Sequence, residues 1–208
     1  MTRSLGVKAW ATGAMVLVAV AACASCSSGA DPAPSPTANT SASVSTAPTP
    51  SPTSASEAAA AAAEDVVRRY FTVLDSLRHD PTEPVKRLSS VATSTQLAAQ
   101  QRLLTSERDQ SLHQVGTTRV ADLTLQSVNL ENSDPSVGKV PTVTVDVCWD
   151  VSDVDILNKS GTSVVRPNRA NTGSTRYTVA NYHWTENPSG GWRIATGQDL
   201  KQVPCTGS

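Results

Sequence analysis

Residues 57–205 predict an α+β domain in which helices come first and an antiparallel sheet of four to five strands follows. Three observations carry this. Apolar residues recur at helical spacing as far as Asp109, the period changes to two after Gly116, and turn signals cut the rest into short runs. The first helix starts near Ser54, where Ser54 and Glu57 have the spacing of a capping box. Ala58 to Ala63, then Val66, Tyr70, Val73, Leu74 and Leu77, put an apolar stripe on one face. His79-Asp80-Pro81 ends the helix, because a residue before proline is pushed out of the helical region. A short helix is expected over Pro84 to Val91. A third runs from about Ser94 to Asp109, with Leu97, Leu103 and Leu104 as its apolar contacts.

The strands follow. Val120 to Leu130 alternates loosely, with Leu123 and Leu125 and then Val128 and Leu130 as apolar sets, and Asn132 to Pro135 is a turn. Val143, Val145, Val147, Trp149 and Val151 alternate strictly with Thr142, Thr144, Asp146, Cys148 and Asp150. This is the strongest strand pattern in the chain. Asn158 to Gly161 is a hairpin turn leading into Ser163–Arg166. Arg176 to Thr185 is a further strand, and Asn187 to Gly191 turns it into Trp192–Thr196.

Ahead of the domain lies a leader with the parts of an export signal: basic Arg3 and Lys8, an apolar run from Ala9 to Ala22, and small residues at its end. At 1.5 Å per residue that run covers about 21 Å, short of the ~30 Å hydrocarbon core of a bilayer. Val20-Ala21-Ala22-Cys23 resembles the lipobox of bacterial lipoproteins. The resemblance implies cleavage before Cys23, a diacylglyceryl anchor on its sulfur, and attachment to the extracytoplasmic face of the cell membrane. Cys26 is a poorer lipid site, since Cys23-Ala24-Ser25 lacks the branched apolar residue.

Residues 23–56 read as a lipidated stalk. Ser, Thr, Ala and Pro dominate, and too little is apolar to offset chain entropy, so disorder is expected. Thirty residues of extended polyproline conformation would reach about 90 Å, and a flexible coil about 30 Å. Such a tract is also a candidate for O-glycosylation, and its Ala-Thr-Pro bias resembles actinobacterial lipoproteins. Removing residues 1–22 leaves 15 basic against 18 acidic residues, a net charge of −3. A mildly acidic chain has no electrostatic footprint for nucleic acid.

One long helix, short helices and then a curved sheet closing on Trp192-Arg193-Ile194 resemble the NTF2-like cone fold, as in Mce-associated and VirB8-like extracytoplasmic domains. The resemblance covers roughly residues 57–200. That superfamily includes isomerases, dehydratases, binding proteins and scaffolds, so fold alone assigns no activity.

The chemistry-bearing residues are sparse. Cys148 and Cys205 lie in the exported domain, where a disulfide persists, and a bridge would staple the tail to the sheet with about 4 kcal/mol of chain-entropy stabilisation. His79, His113 and His183 lack metal-ligand spacing, and no motif calls for a cofactor. Asp146, Asp150, Asp153 and Asp155 crowd one segment without the glycine turn and bidentate glutamate of a calcium loop. They read better as strand charges paired with Arg166, Arg169 or Arg176. There is no nucleophile elbow. An isomerase-like reading would use Tyr70 as donor and Asp75 or Asp80 as base, against the simpler reading of Tyr70 as core. Trp149 is expected in the core, while Tyr182 and Trp184 are candidates to line a cone or form a contact patch. The composite expectation is a non-catalytic binding or scaffold module in an envelope complex, with an unidentified protein partner. A carrier of a small apolar ligand and an isomerase- or dehydratase-like enzyme are the alternatives.

Overall fold

In the computed structural model, residues 54–201 and Cys205 are described. The leader, Val20, Ala21, Ala22, Cys23, Cys26 and the tract up to residue 53 lie outside the described residues. The rest is α+β, with helices packed against a four-stranded antiparallel sheet and a separate two-stranded ribbon beside it.

Helix α1 spans Ala55–His79. The Ser54 hydroxyl accepts the Glu57 N–H at 3.2 Å, and the Glu57 carboxylate accepts the Ser54 N–H at 2.8 Å, so both halves of the capping box form. The capped Glu57 carboxyl is held below its usual range by those bonds. Ala59, Ala63, Val66, Val67, Tyr70, Phe71, Leu74 and Leu77 are buried at the three- and four-residue spacing of one helical face. The segment Val85–Ser90 is a 3-10 turn, and α2 spans Ser94–Asp109. Leu104 is buried in α2, whereas Leu103 is 43% exposed. One residue apart on a helix, the two cannot share a face, and packing chose Leu104.

The strands are β1 His113–Val115, β2 Arg119–Asn129, β3 Thr142–Asp150, β4 Asp155–Leu157, β5 Thr172–Asn181 and β6 Trp192–Leu200. The large sheet has the order β2-β3-β5-β6, and β1 pairs with β4. Val143, Val145 and Val147 are fully buried beneath the helices, as strict alternation requires. They stand opposite Val128, Leu125 and Leu123 on one side and Val179, Tyr177 and Thr175 on the other.

Three strand expectations need correction. Ser163–Arg166 forms no strand. Only Ser163 bridges back to Leu157, while β4 pairs with β1 instead. The strand expected at Arg176–Thr185 runs earlier, over Thr172–Asn181, because the Asn181 side chain closes a turn. Its Oδ1 accepts the His183 N–H at 2.9 Å and its Nδ2 donates to the Asn187 carbonyl at 2.9 Å. The last strand continues past Thr196 to Leu200. Its edge is partly covered, since Ile194 donates to the Val91 carbonyl and accepts the Thr93 N–H.

Two junctions hold these layers. Asp75, buried on α1, accepts Gln114 Nε2 at 2.7 Å, the Thr118 N–H at 2.8 Å and the Thr118 hydroxyl at 2.9 Å. One carboxylate therefore ties α1 to the loop between β1 and β2. That loop turns at Gly116, with φ +73°, where a Cβ would collide with the Asp153 carbonyl. At the other end Cys148 and Cys205 are bonded, with Cα atoms 5.4 Å apart across 57 residues of chain.

Gly116→Ala is expected to lose more than about 2 kcal/mol of stability, and Asp75→Ala about 3 kcal/mol from its stranded buried donors, both measured by urea unfolding. Replacing Cys148 and Cys205 together by serine should cost about 4 kcal/mol in the same assay, and reducing agent should then have no further effect.

Candidate functional site

The site is built from the inward-facing ends of three neighbouring strands and the helices above them. Trp149 on β3 lies opposite Gly173 on β5, where any Cβ would strike the indole. The bare backbone at Gly173 is what lets the ring lie across the sheet. Trp149 is only half-buried, so the core position expected for it is instead a boundary one. The indole N–H donates to the Thr175 hydroxyl at 3.1 Å, and that hydroxyl donates to Asp199 on β6 at 3.0 Å. Thr175 and Asp199 are register partners, so the relay runs straight across the sheet.

Tyr70 closes the site from α1. It is fully buried, and its phenolic oxygen accepts Gln96 Nε2 from α2 at 2.5 Å. Its ring meets Phe71 at 5.5 Å and Tyr177 at 5.7 Å, both edge to face. Burial pushes the Tyr70 phenol up to about 12, opposed by the Gln96 hydrogen bond and the nearby Arg78 charge. Burial raises Tyr177 as well, with the Tyr70 and Asp199 charges adding to the shift. Both phenols are thus neutral hydrogen-bonding groups rather than bases.

Both tyrosines line a cleft of about 250 Å³, together with Phe71, Arg78, Gln100, Trp149 and Asp199. Arg78 is engaged at Nε by Glu107 of α2 at 3.1 Å. Tyr182 and Trp184 are not part of this lining. Tyr182 is 43% exposed in the turn after β5, and Trp184 packs edge to face on Trp192 at 5.8 Å. Asp75 and Asp80 are elsewhere too. They line a separate open cavity of about 410 Å³ with His79, Thr117 and Thr118. The Asp80 carboxyl is lowered by the Thr82 hydroxyl at 2.6 Å and the Thr82 N–H at 2.8 Å.

The aspartate-rich segment is dispersed by the fold. Asp146 makes a two-point pair with Arg176 at 2.6 and 2.7 Å, and Asp150 pairs with Arg119. The Ser152 N–H and then Arg119 hold the Asp150 carboxyl down to about 2. Arg169 donates to the carbonyls of Val151 and Val154 rather than to an acid. Among the described residues no cluster of three His, Cys, Asp or Glu side chains is placed to hold a metal ion.

Gln100, Thr175 and Asp199 were not legible as site residues. Thr175 lay one residue before the expected start of its strand, and Asp199 three residues past the expected end of the next. Only the observed strand limits make them neighbours.

No family model and no curated protein matches the chain. Among solved structures, the intermembrane-space region of the chloroplast protein ARC6 is similar at a TM-score of 0.46 with 20% identity, covering 69% of this chain and 97% of that one. A periplasmic fragment of TraM is similar at a TM-score of 0.42 with 15% identity, covering 70% and 96%.

Tyr70→Phe should cost about 1–2 kcal/mol, because Gln96 Nε2 loses its acceptor. The phenols' contribution to stability should be constant below about pH 10 and fall between pH 10 and about 12. In that window the unfolded chain ionises phenols that the folded chain keeps protonated. Urea unfolding across that range, with Tyr70→Phe showing the smaller decline, checks both.

Proposed function

We propose that this chain is a lipid-anchored extracytoplasmic lipoprotein whose NTF2-like domain binds a protein partner in an envelope complex and does not catalyse a reaction. The anchor is Cys23, following the lipobox residues Val20, Ala21 and Ala22, and residues 23–56 are the stalk that carries the domain away from the membrane. Two or more acyl chains give stable attachment, where one alone binds only marginally. Among the described residues no helix is long and apolar enough to cross a membrane.

One observation supports binding over catalysis. The groups an isomerase-like reaction would need are split between two cavities, with Tyr70 in the cleft and Asp75 and Asp80 in the other. Tyr70 is occupied by Gln96 and Asp75 by three donors, so neither is poised to exchange a proton with a substrate. A stalk also serves a protein that must reach a partner, and contributes nothing to turnover.

The test is crosslinking in the native envelope followed by mass spectrometry, comparing the unaltered chain with Cys23→Ala. A membrane or wall protein recovered with the first and lost with the second is the expected result. Cys23→Ala protein that remains in the membrane fraction would overturn the anchor. A preparation with no crosslinked partner would overturn the scaffold reading.

A further inference from the structure

Gln100 Oε1 is shielded from solvent and has no hydrogen-bond partner among the described residues, yet its side chain lines the same cleft as Tyr70. A buried carbonyl left without a donor is costly, and none of the described elements supplies one. The same cleft is lined by four aromatic residues, Tyr70, Phe71, Trp149 and Tyr177. Asp199, an exposed residue at the mouth of the same lining, has one carboxylate oxygen taken by Thr175. The one cation of the lining is Arg78, and Glu107 offsets its charge at 3.1 Å. Asp199 therefore brings the uncompensated charge.

These features select among ligand classes. An anion would meet the Asp199 carboxylate. An apolar molecule would leave Gln100 Oε1 unpaired. A cation with N–H donors is attracted by Asp199, is compatible with an aromatic lining, and supplies the donor that Gln100 lacks. The volume of about 250 Å³ suits a short aliphatic stem better than a drug-sized molecule.

We infer that this cleft takes a primary ammonium on an aliphatic stem, presented by a lysine side chain of the protein partner. The lysine as source rests on the partner-binding reading above, whereas the ammonium chemistry rests on the cleft alone.

The test titrates butylammonium chloride, sodium butyrate and Nα-acetyl-lysine amide into the full chain and follows indole emission, with Trp149→Phe assigning the signal to the cleft. Butylammonium and acetyl-lysine amide are expected to give saturable changes in the millimolar range, as suits ligands of so few atoms, and butyrate none. Asp199→Asn should weaken ammonium binding about fivefold. Gln100→Leu should weaken it too, while holding or raising the Tm, because an apolar group replaces an orphaned acceptor. A merely structural Gln100 would not separate those two readouts. Equal binding of butyrate, affinities unmoved in both variants, or no saturable change with any probe would overturn the inference. None of these outcomes bears on the anchor-dependent crosslink, which makes no use of the cleft. Binding of butylammonium without acetyl-lysine amide would overturn the lysine source and assign the site to a free amine.

Discussion

Tyr70 is where both helices and the sheet meet, and the rest of the domain is arranged around its burial. A tyrosine on the apolar stripe of α1 brings roughly 2 kcal/mol of favourable burial, but only if its hydroxyl keeps a partner once water is excluded. Gln96 supplies that partner, which sets where α2 crosses α1. The edge-to-face contact with Tyr177 then sets how the helix lies on β5. Removing any one of the three groups strands another, so the arrangement is mutually supporting in a way that a wholly aliphatic contact would not be.

The cleft is a consequence of that same packing. Where Tyr70 and Phe71 cover the sheet, the strand residues below are valines with no exposure. At the end of the valine row, Thr175 stands opposite Val147 and Asp199 opposite Thr175, with Trp149 one alternation further along β3. Aromatic carbon, two neutral phenols, a carboxylate and an unpartnered carbonyl come together there without the paired, separately tuned acids that proton transfer requires. The chemistry on offer is recognition.

Charges on the opposite face of the sheet play a different part. Asp146 with Arg176 and Asp150 with Arg119 are cross-strand pairs at their register positions, exposed and individually worth little. Their value lies in register, since a slip of one residue would place Asp146 among the valines. Asp75 is the exception. It is buried and fully bonded, and it holds the β1–β2 loop against α1 in place of a larger apolar contact.

How far each feature was legible follows from the range of the forces behind it. The capping box at Ser54, the stop at Asp80, the extent of α2 and the alternation of β3 depend on residues within a turn or two of one another, and all were readable from the chain. The ends of β5 and β6, the pairing of β4 with β1 and the exposure of Leu103 depend on partners far along the chain. Asn181 illustrates the point: its side chain ends a strand by bonding Asn187, and no local pattern distinguishes it from the polar residues that alternate along an ordinary strand. The sequence by itself determined the order and type of the main elements. Only the tertiary structure decided that Tyr70, Gln100, Trp149 and Asp199 share one cleft while Asp75 and Asp80 lie elsewhere. That grouping is set by strand register and helix packing, which bring together side chains up to 129 residues apart.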